Sequence, residues 1–334
     1  MRNPVLRFRS FLPFVLAAGI ACLPTPTDAQ QNDLPIYLRD RGTGLSTSMF
    51  GTYIRKGELL VYPFFEYYRD HDFEYKPLEL GFGLDQDFRG RYRANEELIF
   101  IGYGLTDWLA FELEAATISA TLTKSALDPS ATPATIRESG LGDIEGQLRW
   151  RWKSENDRRP EIFSYFEVVV PTQKNKVLIG TQDWELIPGI GFIKGFSWGT
   201  ITLRTEAEYS KAESQLELGE FAVEYLKRLS PAWRVFLGVE GTQDEIELIT
   251  EAQWHITDSI FIKINNAFGI TSKATDWAPE IGIMFRFPLR NKEHKEGLRE
   301  SGSRTSKTHS FASAQNRFKV TPRNFDWLET NRNQ

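Results

Sequence analysis

Between Leu141 and Lys153 the chain alternates strictly. Gly142, Ile144, Gly146, Leu148, Trp150 and Trp152 share one parity; Asp143, Glu145, Gln147, Arg149, Arg151 and Lys153 share the other. Successive side chains of a strand point to opposite faces, so this segment has an apolar face ending in two Trp and an almost wholly charged one. A strand of a soluble sandwich alternates too, with its apolar face in the core. Trp gathered at one end fits the lipid–water interface better, because amphipathic rings concentrate there.

The pattern recurs. Leu109, Phe111, Leu113 and Ala115 alternate with Trp108, Ala110, Glu112 and Glu114. Ile201, Leu203, Thr205 and Ala207 alternate with Thr202, Arg204, Glu206 and Glu208; Trp233, Val235 and Leu237 with Arg234 and Phe236. Ile246, Leu248, Thr250, Ala252 and Trp254 alternate with Glu245, Glu247, Ile249, Glu251 and Gln253. Such segments approach the roughly 9–11 residues a tilted strand needs to cross a bilayer. The spacing predicts an all-β fold, an antiparallel transmembrane β-barrel with strands near 58–69, 91–103, 108–118, 141–153, 161–170, 184–193, 198–209, 216–228, 233–240, 245–256, 260–269 and 276–287. That is about twelve, an even number that returns both ends of the barrel to one side. The first, second and fifth are apolar or aromatic on both faces, which leaves their parity open.

Turns sort by length. Gly104–Trp108, Arg228–Trp233 and His255–Ile260 are short reversals built on Thr, Ser, Asp and Pro, residues that favour tight turns. The other end carries the longer connections Asp70–Arg91 and Thr121–Gly140. Short periplasmic turns with long external loops mark an outer-membrane barrel.

The flanks read differently. Arg2, Arg7 and Arg9, the apolar run Phe11–Cys22 and Thr27-Asp28-Ala29 form an export signal, 1–29, with cleavage expected after Ala29. The run is shorter than the roughly 20 residues a spanning helix needs. The rival site is Cys22 as a lipidated terminus, where Gly19 stands at a position lipoprotein signals usually fill with Leu. Cleavage at Ala29 leaves no cysteine, hence no disulfide, thiolate metal site or Cys nucleophile. Residues 30–57 are expected as a periplasmic N-terminal segment, 58–287 as the barrel and 288–334 as a basic polar periplasmic tail, largely disordered. From Leu289 onward the tail holds 10 Lys+Arg against 5 Asp+Glu. Removing its +5 and the leader's +2 from the chain's −5 leaves −12 for residues 30–288. The tail is therefore either a solvated extension or a segment that folds into an acidic lumen, with Phe325, Trp327 and Leu328 able to dock.

Trp277, Pro279, Ile281, Ile283, Phe285 and Phe287 alternate along the last strand. A final strand ending in aromatics resembles the signal read by the barrel-assembly machinery, although here a tail follows. The stretch Ser139-Gly140-Leu141-Gly142-Asp143-Ile144, continued by Phe166-Glu167-Val168-Val169-Val170-Pro171-Thr172, Gly180-Thr181-Gln182-Asp183 and Pro188-Gly189-Ile190-Gly191, resembles the phenol-degradation (MetA-pathway) outer-membrane family. The likeness runs over most of Gly57–Phe287. Gln173 replaces the Gly that often follows Pro-Thr. The resemblance implies an outer-membrane barrel of transport type and does not establish that phenols are carried.

Charge facing lipid at mid-depth costs about 2–4 kcal/mol for Arg or Lys. The expected lumen lining is therefore Glu112, Glu114, Asp143, Glu145, Arg149, Arg151, Arg204, Glu206, Glu208, Arg234, Glu245, Glu247, Glu251, Lys263 and Arg286, with Glu220 and Glu224 beside them. Trp150, Trp152, Trp233, Trp254 and Trp277 are the expected interfacial aromatics. Either a hydrated, cation-leaning passage or a salt-bridged, plugged interior accommodates these charges. A passive channel or transporter for small molecules, including hydrophobic or aromatic ones, is the leading expectation; a structural or receptor barrel and a lipid-hydrolysing barrel are the alternatives. Only His71, His255, His294 and His309 supply imidazoles, and no Gly-x-Ser-x-Gly elbow exists, so an enzyme is not expected. Nor is a cofactor, a metal or a nucleic-acid partner. The expected partners are outer-membrane lipid, lipopolysaccharide, the assembly machinery and an unidentified solute.

Overall fold

The computed structural model describes residues 34–289 apart from 182, 211–214 and 243–244, and for 210, 215 and 217 the backbone alone. The tail and the export signal lie outside the described residues. Two short strands, β1 (Leu45–Ser46) and β2 (Tyr53–Ile54), pair as a small antiparallel hairpin. Twelve strands follow: β3 (Glu58–Tyr75), β4 (Phe88–Gly104), β5 (Leu109–Thr123), β6 (Thr135–Lys153), β7 (Glu161–Val170), β8 (Glu185–Phe196), β9 (Gly199–Ser210), β10 (Gln215–Arg228), β11 (Trp233–Gly241), β12 (Ile246–Thr257), β13 (Ile260–Gly269) and β14 (Ala278–Pro288). Each pairs antiparallel with its neighbours, and β14 pairs with β3 through Phe285↔Val61 and Ile281↔Phe65, closing the barrel. Closure leaves no sheet edge, which lets a β-structure stand in an apolar medium.

The alternation read from sequence is realised around the wall. Phe111, Leu113, Leu148, Leu203, Leu237, Ile264, Ile281 and Ile283 are exposed, while their even-numbered or odd-numbered counterparts Glu112, Arg149, Phe236, Lys263 and Met284 are buried. An exposed apolar band of this extent would be a severe liability in water. The ambiguous strands resolve as well: Leu60, Tyr62 and Phe64 of β3 and Phe163 and Tyr165 of β7 point inward, whereas Phe65 is exposed. Several strands outrun the lengths read from sequence. β3 and β4 extend to Tyr75 and Phe88, and β5 and β6 to Thr123 and Thr135, so the long connections shrink to 76–87 and 124–134. Their outward positions are polar, as at Glu74, Arg89, Thr121 and Arg137, while Tyr75, Phe88 and Leu122 pack inward, so the lipid-zone pattern is reversed and a search for an apolar outer face misses them. A bulge opposite Ala116 restores parity where β6 enters the apolar zone at Gly142-Asp143.

Interior rings rest on glycines in the facing strand. Phe163 lies opposite Gly191 and Tyr165 opposite Gly189, and a Cβ at either glycine would come within 2.2 Å of the ring. The Gly-rich β8 is thus the complement of the aromatic β7. Replacing Gly191 by Ala is expected to expel the Phe163 ring at a cost of about 1–3 kcal/mol. A lower urea midpoint for loss of the heat-modifiable band on gels checks this; an unchanged midpoint contradicts the packing.

Candidate functional site

The described part of the segment placed by sequence in the periplasm, 34–57, packs inside the barrel. Leu45, Ile54 and Met49 join Leu60, Tyr62, Phe100, Phe261 and Met284 in one core cluster; Tyr53 and Phe50 join Phe163, Tyr165, Leu226 and Phe236 in another. Phe50 stacks on Phe236 with ring centroids 5.0 Å apart. Burial pushes the Tyr53 phenol up to about 12, with the Arg41 guanidinium opposing that shift.

Charged wall residues grip this plug. Arg41, 3% exposed, places Nη2 3.0 Å from both Glu155 and Glu161. Arg151 Nε reaches Glu161 at 3.1 Å, and Lys194 reaches Glu155 at 3.2 Å. Asp40 pairs with Lys227 at 3.2 Å and accepts from the Arg228 amide. The Ser48 amide and hydroxyl donate to Glu112 at 2.9 and 2.7 Å. Plug carbonyls are taken as well: Phe50 by Gln253, Tyr53 by Arg286 and Gly44 by Arg151. At two places the plug backbone lies directly against a wall glycine. A Cβ on Gly104 would lie 2.0 Å from the Arg55 carbonyl oxygen, and one on Gly195 2.1 Å from that of Tyr37.

Beyond the plug, toward the long loops, lies a cavity of about 520 Å³ floored by Met49 and Phe50. Its walls carry Glu66, Glu96, Glu114, Asp143, Glu145, Glu240, Glu247 and Glu280, and no Lys or Arg among the described residues. Leu178, Ile179 and Gly180, from the connection between β7 and β8, fold over it. Asp143 holds that connection in place. Its carboxylate accepts from the Thr172 amide at 3.2 Å and from the Thr181 amide, while the Thr172 hydroxyl donates to the Gly142 carbonyl at 2.7 Å. A Cβ on Gly180 would come within 2.8 Å of Asp143. Gly142-Asp143, Pro171-Thr172 and Gly180-Thr181, far apart in sequence, form one latch; Gln182 lies outside the described residues.

Of the lumen candidates, Glu112, Glu114, Asp143, Glu145, Arg149, Arg151, Arg204, Glu206, Glu208, Arg234, Glu247, Glu251, Lys263 and Arg286 sit on inward-facing positions of their strands. They serve different purposes. Arg204 binds Glu220 at 3.1 Å, Glu224 at 2.9 Å and also Glu240. Lys263 binds Glu251 at 3.0 Å beneath the Phe50 and Tyr62 rings. Arg149 lies between the Phe163 and Tyr165 faces, 3.9 Å from Glu112. Glu245 is the exception: it is exposed and precedes β12, because that strand begins only at Ile246.

Trp150, Trp152, Trp233 and Trp254 form an outward group toward the short-turn end, with Trp233 stacked on its cross-strand partner Trp254 at 6.0 Å. Trp198, stacked between Phe196 and Tyr225, extends it. The sequence put Trp198 at the start of the expected strand 198–209, on the parity of Thr200 and Thr202 and so not among the interfacial aromatics; it stands in the turn before β9. Trp277 lies at the opposite end against Tyr67, 6.0 Å away. An apolar band with a Trp cluster at one end and the Trp277–Tyr67 pair at the other defines the class: a β-barrel built to stand in a bilayer.

One solved structure agrees at the level of the fold. No family model matches, and no curated protein does. An outer membrane channel from Pseudomonas putida F1 superposes with a TM-score of 0.54 at 11% identity, covering 73% of this chain and 100% of that one. A KdgM porin gives a TM-score of 0.43 at 9% identity, over 68% of this chain and 99% of that one.

Arg41→Met tests the grip on the plug. Two charge-assisted hydrogen bonds, about 1.5–3 kcal/mol each, are lost, while Lys194 and Arg151 still neutralise Glu155 and Glu161. Faster trypsin cleavage at Arg39, Arg55 or Lys56, in a barrel that keeps its heat-modifiable band, is the expected result.

Proposed function

We propose that this chain is an outer-membrane channel for small solutes, held closed in the described state by residues 34–57. The carrying observation is the division of the lumen. One half is filled by a segment fixed through ion pairs and hydrogen bonds as well as apolar packing, and the other is an acidic vestibule large enough for a small solute. A purely structural barrel can fill its interior with apolar side chains and needs neither. The acidic vestibule favours cations over anions as they enter. Membership of the phenol-degradation outer-membrane family is part of this proposal. Its support is that three motifs carrying the resemblance meet in the Asp143 latch.

Catalysis has little support. The two described imidazoles are engaged elsewhere: His71 with Asp276 at 2.7 Å, and His255 stacked on Phe261 at 4.5 Å and near the Gln253 side-chain oxygen. Among the described residues neither is hydrogen-bonded to a Ser, Thr or Cys.

Planar-bilayer recording decides the matter with three forms: the full chain, a form lacking 34–54 and a form lacking 290–334. The full chain should show rare, small openings. Loss of 34–54 should raise mean conductance about tenfold or more, as expected when contacts worth at least 1.4 kcal/mol are removed from the closed state, with a reversal potential favouring cations. A folded barrel lacking 34–54 that stays silent contradicts the channel reading. If loss of 290–334 alone opens the pore, closure belongs to the tail.

A further inference from the structure

The outer surface carries a feature that a lipid-facing wall does not need. Arg69 of β3, Arg91 and Arg93 of β4 and Arg137 of β6 are all exposed and share the outward parity of their strands. They are also in register. Arg69 is directly opposite Arg93, Arg93 opposite Thr121, and Thr121 opposite Arg137, so one level crosses four adjacent strands. Like charges directly opposite on a sheet destabilise it. Among the described residues none of the four lies within 4.0 Å of a carboxylate, whereas the next arginine up, Arg89, is paired with Asp72 at 3.0 Å and Glu74 at 3.2 Å. Between Arg69, Arg91 and Arg93 the surface dips into a depression of about 160 Å³, edged also by Asp70, His71 and Thr123.

The depth of this row is marked by Trp277. Its backbone bridges to Arg69 and its ring meets Tyr67, so the row lies at the outer aromatic girdle. Directly below it the outward face of β4 and β5 is polar where neighbouring strands are apolar: Asn95, Glu97, Thr117 and Ser119 are all exposed. Guanidinium groups are matched to phosphate oxygens, and they bind them in forked geometry. Asn, Ser, Thr and Glu side chains match sugar hydroxyls. We propose that the outward face of β3–β6 at the long-loop rim binds the phosphorylated sugar head group of an outer-leaflet glycolipid, with Arg69, Arg93 and Arg137 as its phosphate ligands. The head group neutralises the opposed arginines, and the polar strip beneath accommodates its sugars. This rests on the barrel standing in the outer membrane with its long loops outward.

Native mass spectrometry of the full-length protein in detergent micelles tests it, using bis-phosphorylated lipid A, dephosphorylated lipid A and phosphatidylglycerol as probes. Bis-phosphorylated lipid A should bind about tenfold or more tightly than either other lipid, given the strength of hydrogen bonds between charged groups. Arg69→Gln/Arg93→Gln/Arg137→Gln should abolish that preference while the heat-modifiable band persists; Arg93→Gln alone serves if the triple variant does not fold. Equal binding of the dephosphorylated form, or an undiminished preference in the variant, overturns the site. Phosphatidylglycerol matching lipid A reduces it to a general anionic-lipid surface, and full displacement by inorganic phosphate reduces it to a free-anion site; either overturns the glycolipid assignment. Protein that carbonate extracts without detergent overturns the barrel reading itself, an outcome separate from all of these.

Discussion

A wall one residue thick, with lipid on one side, sends nearly all its ionised side chains to two places: inward, or toward the rim. This partition of charge governs the rest of the molecule. It turns Glu112, Arg149, Arg204, Glu251, Lys263 and Arg286 into a space where each must find water or a counter-charge. Some pair with one another, as Lys263 does with Glu251. Others take further contacts from the segment ahead of the first barrel strand: Glu155 and Glu161 from Arg41, Glu112 from Ser48, Arg286 from the Tyr53 carbonyl. The plug and the lumen lining are two halves of one polar network.

The same partition explains what the sequence disclosed. Alternation and turn length were sufficient for the closed antiparallel barrel and for the strand bounds inside the apolar zone, because lipid imposes a strict period of two there. Outside that zone the constraint lapses. The ends of β3–β6, polar outside and apolar within at Tyr75, Phe88 and Leu122, therefore read as loops, and Glu245 read as one more lumen position. Residues 34–57 were illegible for another reason. Their contacts are to side chains far away in sequence, as with Arg41 and Glu155, and no local period reports them. The signal that was available is indirect: Gly102, Gly104 and Gly195 on inward parity ask what approaches so closely. Asp143 was read as a lumen carboxylate, and it is inward; its hold on Thr172 and Thr181 depends on a bulge that periodicity does not show.

Charge is also uneven along the axis. The vestibule gathers carboxylates, whereas the short-turn half holds Arg286 and the buried Arg234 near Arg228, close to the plug hairpin. In the channel proposed above, a cation from the long-loop side would be attracted by the first region and opposed by the second, so the electrostatic barrier would coincide with the steric one.

The link between plug and wall is made at the seam where the barrel closes. The Gly57 amide donates to the Gly104 carbonyl, and the Leu289 amide donates to the Gly57 carbonyl, so one residue is stitched both to β4 and to the end of β14. The residue at which the plug segment gives way to the wall is thus also a residue of the seam, so a change in the register of closure would shift the point where the plug enters the lumen.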